Sequence, residues 1–189
     1  MMEAIRNAWK IAELRRRIIF TLLMLVVYRI GAHVPVPGIN PEILADFFQE
    51  DTLFGFYNVI AGGALSDFTI FAMGIMPYIN ASIIMHLLTV VIPKFKEWSE
   101  EGVEGRKKMA QMVRYATVLL ALLQATGMTF SLIQPAVIER SASAYVVIII
   151  SLTAGTAFLM WLGELITEKG IGNGISLLIF AGIVAGFPR

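Results

Sequence analysis

Uncharged apolar stretches alternate with clusters of charge along this chain. Residues 68–93 (26 residues), 115–138 (24), 141–163 (23) and 170–188 (19) contain no Asp, Glu, Lys or Arg. A helix rising 1.5 Å per residue needs about 20 apolar residues to cross roughly 30 Å of hydrocarbon, so each stretch reads as a membrane span. The first apolar run, 18–28, is 11 residues and then meets Arg29; continuing to Val34 gives about 17, with the Arg29 side chain reaching toward the outer interface. Pro35, Pro37, Gly38 and Pro41 then forbid further helix. The pattern predicts an all-α integral membrane protein with about five transmembrane helices, near 18–34, 76–92, 115–133, 144–163 and 174–188. Residues 1–17 precede them as a cytoplasmic amphipathic segment, with Ile5, Ala8, Trp9, Ile11 and Ala12 set against basic residues and suited to a membrane surface.

The second span is interrupted. Gly74 and Pro77 fall inside its apolar run, and Pro77 both lacks a donor and clashes with the carbonyl four residues earlier. The backbone groups so freed cannot face lipid; protein or a wet cavity must cover them. The expected shape is a short half-helix near 63–72, a break near 73–75, and a spanning helix near 76–92. Such discontinuous helices recur in transporters and channels, although a plain proline kink in a packed bundle fits the same residues. Ser82, His86 and Thr89 recur at i, i+4, i+7 and make one stripe of that helix polar. Thr126, Gly127 and Thr129 in the third span, and Ser151, Thr153, Gly155 and Thr156 in the fourth, read as interhelical hydrogen bonds and close packing.

Composition agrees with the pattern. Hydrophobic residues make up 57% of 189 and charged residues 15%, with a mean hydropathy of +0.74; soluble domains carry about 25% charge, so there is too little polar surface to wrap this chain in water. The distribution of Lys and Arg orients it. Twelve of the 15 lie before the first span (Arg6, Lys10, Arg15, Arg16, Arg17), between the second and third (Lys94, Lys96, Arg106, Lys107, Lys108, Arg114) or between the fourth and fifth (Lys169). Only Arg29, Arg140 and Arg189 fall on the other side. Basic residues concentrate in short cytoplasmic segments, so the N-terminus is expected inside. The first apolar run has no small-residue cleavage site after it and reads as a retained span.

Chemistry is sparse. There are no cysteines and two histidines, which removes disulfides, thiolate nucleophiles and an easy metal cage; no cofactor is expected. The turn GIGNGIS (170–176) lacks the GK[ST] ending of a phosphate loop and the GxGxxG spacing of a dinucleotide site; its glycines suit a tight turn. No GxSxG appears and His33 sits in the proline-rich turn, so no nucleophile–base pair forms and no enzyme is expected.

Four strings taken together carry a resemblance: RIGAHVPVPGIN (29–40), GGALSDFTIFAMGIMPYINASII (62–84), EGRKKMAQMVRY (104–115) and GTAFLMWLGELITEKGIGNGISLLIFAGIVAG (155–186). In order and spacing they resemble SecY, the large subunit of the bacterial Sec protein-conducting channel. The match starts near residue 9 and implies the N-terminal half of a ten-helix fold built from two pseudo-symmetric halves, as a truncation, a fragment or one piece of a longer chain. The resemblance implies that the outer half-helix is a plug, here Gly62, Gly63, Ala64, Leu65, Ser66, Asp67 and Phe68 within about 62–72. It implies a lateral gate along Asn80, Ser82, Ile83, His86 and Leu87. By motif position, Ile75 and Ile79 in GIMPYI and Ile175 and Ile179 in GISLLI belong to an apolar pore ring. Each pair is spaced i, i+4 and so stacks on one helix face, and apolar constrictions exclude water by dewetting. From the residues alone all four read as core.

What the resemblance implies about function is a passive pore half in the bacterial inner (plasma) membrane. It would pass unfolded secretory polypeptides across the membrane and release membrane segments sideways into lipid. SecE and SecG are the implied membrane partners, with the SecA ATPase or the ribosome on the cytoplasmic side and no other nucleic-acid contact. The family's main docking loops lie in the other half, so Arg106, Lys107 and Lys108 are accessory cytoplasmic contacts. Two residues depart from the family pattern: Asp67, where a basic or neutral polar residue is commoner, and His86, where glutamine is usual. The alternative reading is a small-solute secondary transporter with broken helices, which would call for a charged site at mid-membrane.

Overall fold

The computed structural model describes residues 11–40, 43, 64, 65 and 67–186. Its long elements are helices α1 (Ala12–Gly31), α2 (Met76–Val91), α3 (Pro93–Glu100), α4 (Val103–Met128), α5 (Ala142–Lys169) and α6 (Gly174–Gly186). A π-helical turn (Thr129–Ile133) and a 3-10 turn (Gln134–Ala136) extend α4. Among the described residues there is no strand, only two isolated bridges, Pro35 with Thr69 and Ile39 with Val137.

Each expected span has its helix, with shifted bounds. α1 begins at Ala12, so Arg15, Arg16 and Arg17 belong to the helix that carries the first apolar run and are not part of a separate surface segment. The amphipathic reading of residues 1–10 lies outside the described residues. α2 starts after Gly74, whose φ of +57° ends the preceding turns, and holds Pro77 in its first turn, where a missing N–H costs nothing. At Ile92–Pro93 the chain bends by 104° into α3, a charged helix with Lys94 over the Trp98 ring. α5 is capped by Ser141, whose hydroxyl accepts from the Ala144 N–H at 3.3 Å.

Length and apolarity single out two of the expected five spans: Val103–Ala136 at 34 residues and Ala142–Lys169 at 28. α2 qualifies only when joined to α3 across the bend. The charged residues of α1 (Glu13, Arg15, Arg16, Arg17, Arg29) keep it below that standard, and the 13 residues of α6 reach only about 20 Å.

α5 is the organising helix and packs against α4, α6 and α1, while α4 also takes α2 and α3. Ile148, Leu152, Leu159, Leu162 and Ile166 line its fully buried face. Ala121 and Ala125 of α4 are also fully buried, and such small residues let helix backbones approach closely where lipid removes any hydrophobic drive to associate. The outward faces of α1, α2 and α4 keep Leu22, Val90 and Leu119 exposed, the pattern expected of helices bathed in lipid. The threonine reading is corrected here. Thr126, Thr129 and Thr153 donate to the carbonyls of Leu122, Ala125 and Ile149 on their own helices, so these hydroxyls tie no helices together.

Candidate functional site

The segment before α2 lies at the heart of the bundle. Ala64, Leu65, Phe68, Thr69, Phe71, Ala72 and Met73 are all buried. Gly62, Gly63 and Ser66, named with them as plug residues, lie outside the described residues. Where the half-helix near 63–72 was expected, the described residues make successive turns, closed by Phe68 N–H to the Leu65 carbonyl, Ala72 to Thr69 and Gly74 to Phe71. Phe68 has a φ of +43°, which no helix accommodates. A neighbouring segment meets the need for backbone partners. The Ile70 N–H donates to the Val34 carbonyl and the Val36 N–H to the Phe68 carbonyl, both at 3.0 Å, so the chain leaving α1 pairs with the buried stretch. The Thr69 hydroxyl accepts from the Phe71 N–H and donates to the Ala64 carbonyl, both at 3.3 Å. Burial of this irregular backbone thus follows the rule that only protein-covered or water-lined chain departs from helix at membrane depth.

Aromatic stacking anchors the stretch. The Phe71 ring lies between Tyr28 of α1 and Phe158 of α5, with centroids 6.0 Å away on each side and planes within about 10° of parallel. Glycines make the room: a Cβ at Gly31 would overlap the Phe71 ring, and one at Gly155 would overlap the Ile70 carbonyl.

Ile75 follows directly and is 7% exposed; Ile79 sits one turn into α2, with its N–H on the Ile75 carbonyl at 3.2 Å. Ile175 and Ile179 lie in the first two turns of α6. Ile75 belongs to the main core cluster, and the other three are half-buried against it. α2 and α6 both touch α5 but do not form an extensive interface with each other.

Of the gate residues, Asn80 and Ser82 are half-buried, whereas Ile83, His86 and Leu87 are exposed. The polar stripe is internally bonded. His86 Nδ1 pairs with the Ser82 carbonyl at 2.6 Å, and the Thr89 hydroxyl donates to the His86 carbonyl at 2.6 Å. Below it, His86, Thr89, Ser99, Arg106 and Met109 line a cavity of about 180 Å³ where α2, α3 and α4 meet. Asp67 is exposed, as are Arg106, Lys107 and Lys108, and Lys108 pairs with Glu101 at 3.1 Å. Arg114 of α4 grips Glu164 of α5 through two contacts of 2.9 Å. Among the described residues, no group of three or more His, Asp or Glu side chains could hold a metal.

A family model described as SecY matches residues 69–189. The chain belongs to the SecY family. The protein translocase subunit SecY is 57% identical to this chain over 193 residues in Halalkalibacterium halodurans and 52% over 194 in Bacillus subtilis. Each alignment covers 100% of this chain and 45% of the relative. The Escherichia coli subunit is 49% identical over 185 residues, covering 94% and 42%. The chain therefore spans about half the length of the SecY relatives it matches. Two solved structures superpose with a TM-score of 0.68 at 22% identity, covering 90% of this chain and 36% of theirs. One is described as a protein conducting channel, the other as Sec61 in a canine ribosome-channel complex from the endoplasmic reticulum. At that identity the likeness concerns the fold alone; the SecY relatives and the apolar helices make this a multi-pass membrane protein.

Within the SecY half, local motifs pointed to the buried stretch but not to the rings that hold it. The Phe71 stack depends on Tyr28 and Phe158, 43 residues before and 87 after it, and no local pattern links such positions. Gly155 was legible as a close-packing residue among Thr153, Ala154, Thr156 and Ala157, and Gly31, next to Tyr28, Arg29 and Ile30, left a similar signal.

Proposed function

We propose that this chain is the first half of a SecY-type channel subunit that passes unfolded polypeptides through the bacterial plasma membrane and releases apolar segments sideways into lipid. The observation that carries this reading is the buried, non-helical stretch before α2, which fills the bundle interior and leads straight into Ile75. A bundle evolved only for anchorage has no use for irregular backbone at membrane depth. In this reading the stretch is the plug, residues 62–72, and Ile75, Ile79, Ile175 and Ile179 are four members of an apolar collar completed by the second half. The collar resists wetting when empty and yields to a passing chain. The exposed face of α2 around Ile83, His86 and Leu87 is one wall of the lateral gate.

The subunit performs no bond chemistry. SecE and SecG flank it in the membrane, and SecA or the ribosome drives transport from the cytoplasm; one of the structural relatives is itself a channel in a ribosome complex, which supports the second of these. Arg106, Lys107 and Lys108 are exposed in the first two turns of α4 and serve as accessory contacts on that side. The N-terminus is cytoplasmic, following the twelve-to-three division of Lys and Arg. A small-solute transporter has no support from the relatives described above, each of which is named as a translocase subunit or a protein channel.

The deciding experiment is single-channel conductance of the full-length subunit in planar bilayers without substrate. Replacing Ile75 and Ile79 together by Ser is expected to hydrate the collar and let ions leak. Replacing the exposed Leu119 and Leu122 of α4 by Ser leaves the traces silent. Silent traces from the Ile75/Ile79 pair would overturn the collar.

A further inference from the structure

The turn that launches α6 is held by two threonine hydroxyls from two different helices. On α1, the Thr21 hydroxyl donates to the Arg17 carbonyl at 2.9 Å and accepts the Ile171 N–H at 3.0 Å, a contact between residues 150 apart. On α5, the Thr167 hydroxyl donates to the Gly163 carbonyl at 2.9 Å and accepts the Gly174 N–H at 2.8 Å. Each hydroxyl spends its one proton on its own helix and its lone pairs on the turn. Between the two tethers the chain passes through Gly172 at φ +70°, and the Asn173 side chain accepts the Ser176 N–H at 3.2 Å to cap α6.

Close packing makes the same turn intolerant of movement. A Cβ at Gly170 would crowd Thr21, one at Gly174 would overlap the Gly163 carbonyl, and one at Gly163 would overlap the end of the Ile175 side chain. Ile175 is the residue after the tethered Gly174 N–H, and Ile179 stands one turn further along.

We propose that Thr21 and Thr167 are positioning residues that set the height and rotation of α6, and thereby aim Ile175 and Ile179 into the apolar collar. The inference rests on the channel reading above. One residue of slip in a helix rotates every side chain by about 100°, enough to replace the Ile175 and Ile179 face by that of Ser176 and Phe180. Two hydroxyl tethers, on the Ile171 and Gly174 amides four residues and one residue before Ile175, oppose that rotation directly. The Thr21 tether also links α1, which supports the plug through Tyr28, to the turn that launches the helix carrying half of the local collar.

The test uses the full-length subunit in planar bilayers, comparing Thr21→Val and Thr167→Val, singly and together, with the Ser variants at the same positions. Valine keeps the shape and removes the hydroxyl; serine keeps the hydroxyl and removes the methyl. Both Val variants are expected to raise the fraction of time spent conducting without substrate, by about fivefold for each tether lost, the effect of one hydrogen bond of ordinary net strength on a two-position equilibrium. The Ser variants stay as silent as the starting protein. A second readout follows rotation itself: in a full-length subunit with any cysteine outside these 189 residues replaced by Ser, Ile175→Cys and Ser176→Cys are labelled by a small soluble thiol reagent, and the ratio of the two rates shifts in the Thr→Val backgrounds. Silent Val variants with an unchanged labelling ratio, beside a leaking Ile75→Ser/Ile79→Ser pair, would overturn the positioning role and leave the collar standing. Equal leak from Val and Ser variants would overturn it as well, since packing and not the hydroxyl would then be at work. A silent Ile75→Ser/Ile79→Ser pair removes the collar and this inference with it.

Discussion

The carbonyl of Ile70 rests against the Cα of Gly155, leaving no room for even one added methyl. The buried stretch ahead of α2 is thus seated directly on the backbone of α5, the helix that organises the bundle. Gly155→Ala is expected to push the stretch off its seat, costing about 1–3 kcal/mol from overpacking and giving a substrate-free ion leak in planar bilayers. Gly127→Ala, on a helix face with open space around it, is the matched control and leaves both stability and conductance unchanged or slightly improved. Indistinguishable behaviour of the two variants would remove Gly155 as the seat.

Phe71 is the second support, stacked between Tyr28 and Phe158 and 2% exposed. Phe71→Ala leaves a buried cavity, for which about 3–5 kcal/mol is the usual cost. Phe158→Ala, at a ring 37% exposed, costs less. Thermal unfolding of the detergent-solubilised subunit checks the order, and a milder effect at Phe71 than at Phe158 would contradict the wedge.

The Arg114–Glu164 pair joins α4 to α5 with two 2.9 Å contacts, yet the side chains are 50% and 24% exposed. Partial exposure screens the attraction and limits its worth. A double-mutant cycle of Arg114→Gln and Glu164→Gln is expected to return a coupling of about 0.5–1 kcal/mol. A coupling above about 3 kcal/mol would mean that the pair is desolvated in the assembled membrane complex.

Topology is open to test because the chain has no cysteine. A membrane-impermeant maleimide added to intact cells is expected to label Glu139→Cys, on the turn between α4 and α5, and to spare Glu100→Cys at the end of α3. Glu100→Cys reacts only after the cells are opened. Outside labelling at position 100 would invert the proposed orientation.

Much of this protein was legible along the chain. Charge-free stretches of 19 to 26 residues located four helices, because membrane thickness sets a length that sequence must match. Gly74 and Pro77 marked where α2 begins, because backbone rules for those two residues act locally and hold in any fold. The family strings then named the isoleucine pairs. The helical form expected near residues 63–72 gives way to turns among the described residues for a reason no local rule contains: the chain leaving α1 offers Val34 and Val36 as backbone partners, so turns can be satisfied where an isolated segment would need to be helical. Tertiary structure also decided the roles of single atoms. Thr126, Thr129 and Thr153 look like Thr21 and Thr167 in sequence, and all five donate to their own helix; only the last two have a foreign N–H within reach of their lone pairs. Helix positions follow from the periodicity and length of apolar sequence. Which glycine receives a carbonyl, and which hydroxyl a distant amide, depends on how far apart in the chain the packed surfaces lie, and that separation is invisible to any window moved along it.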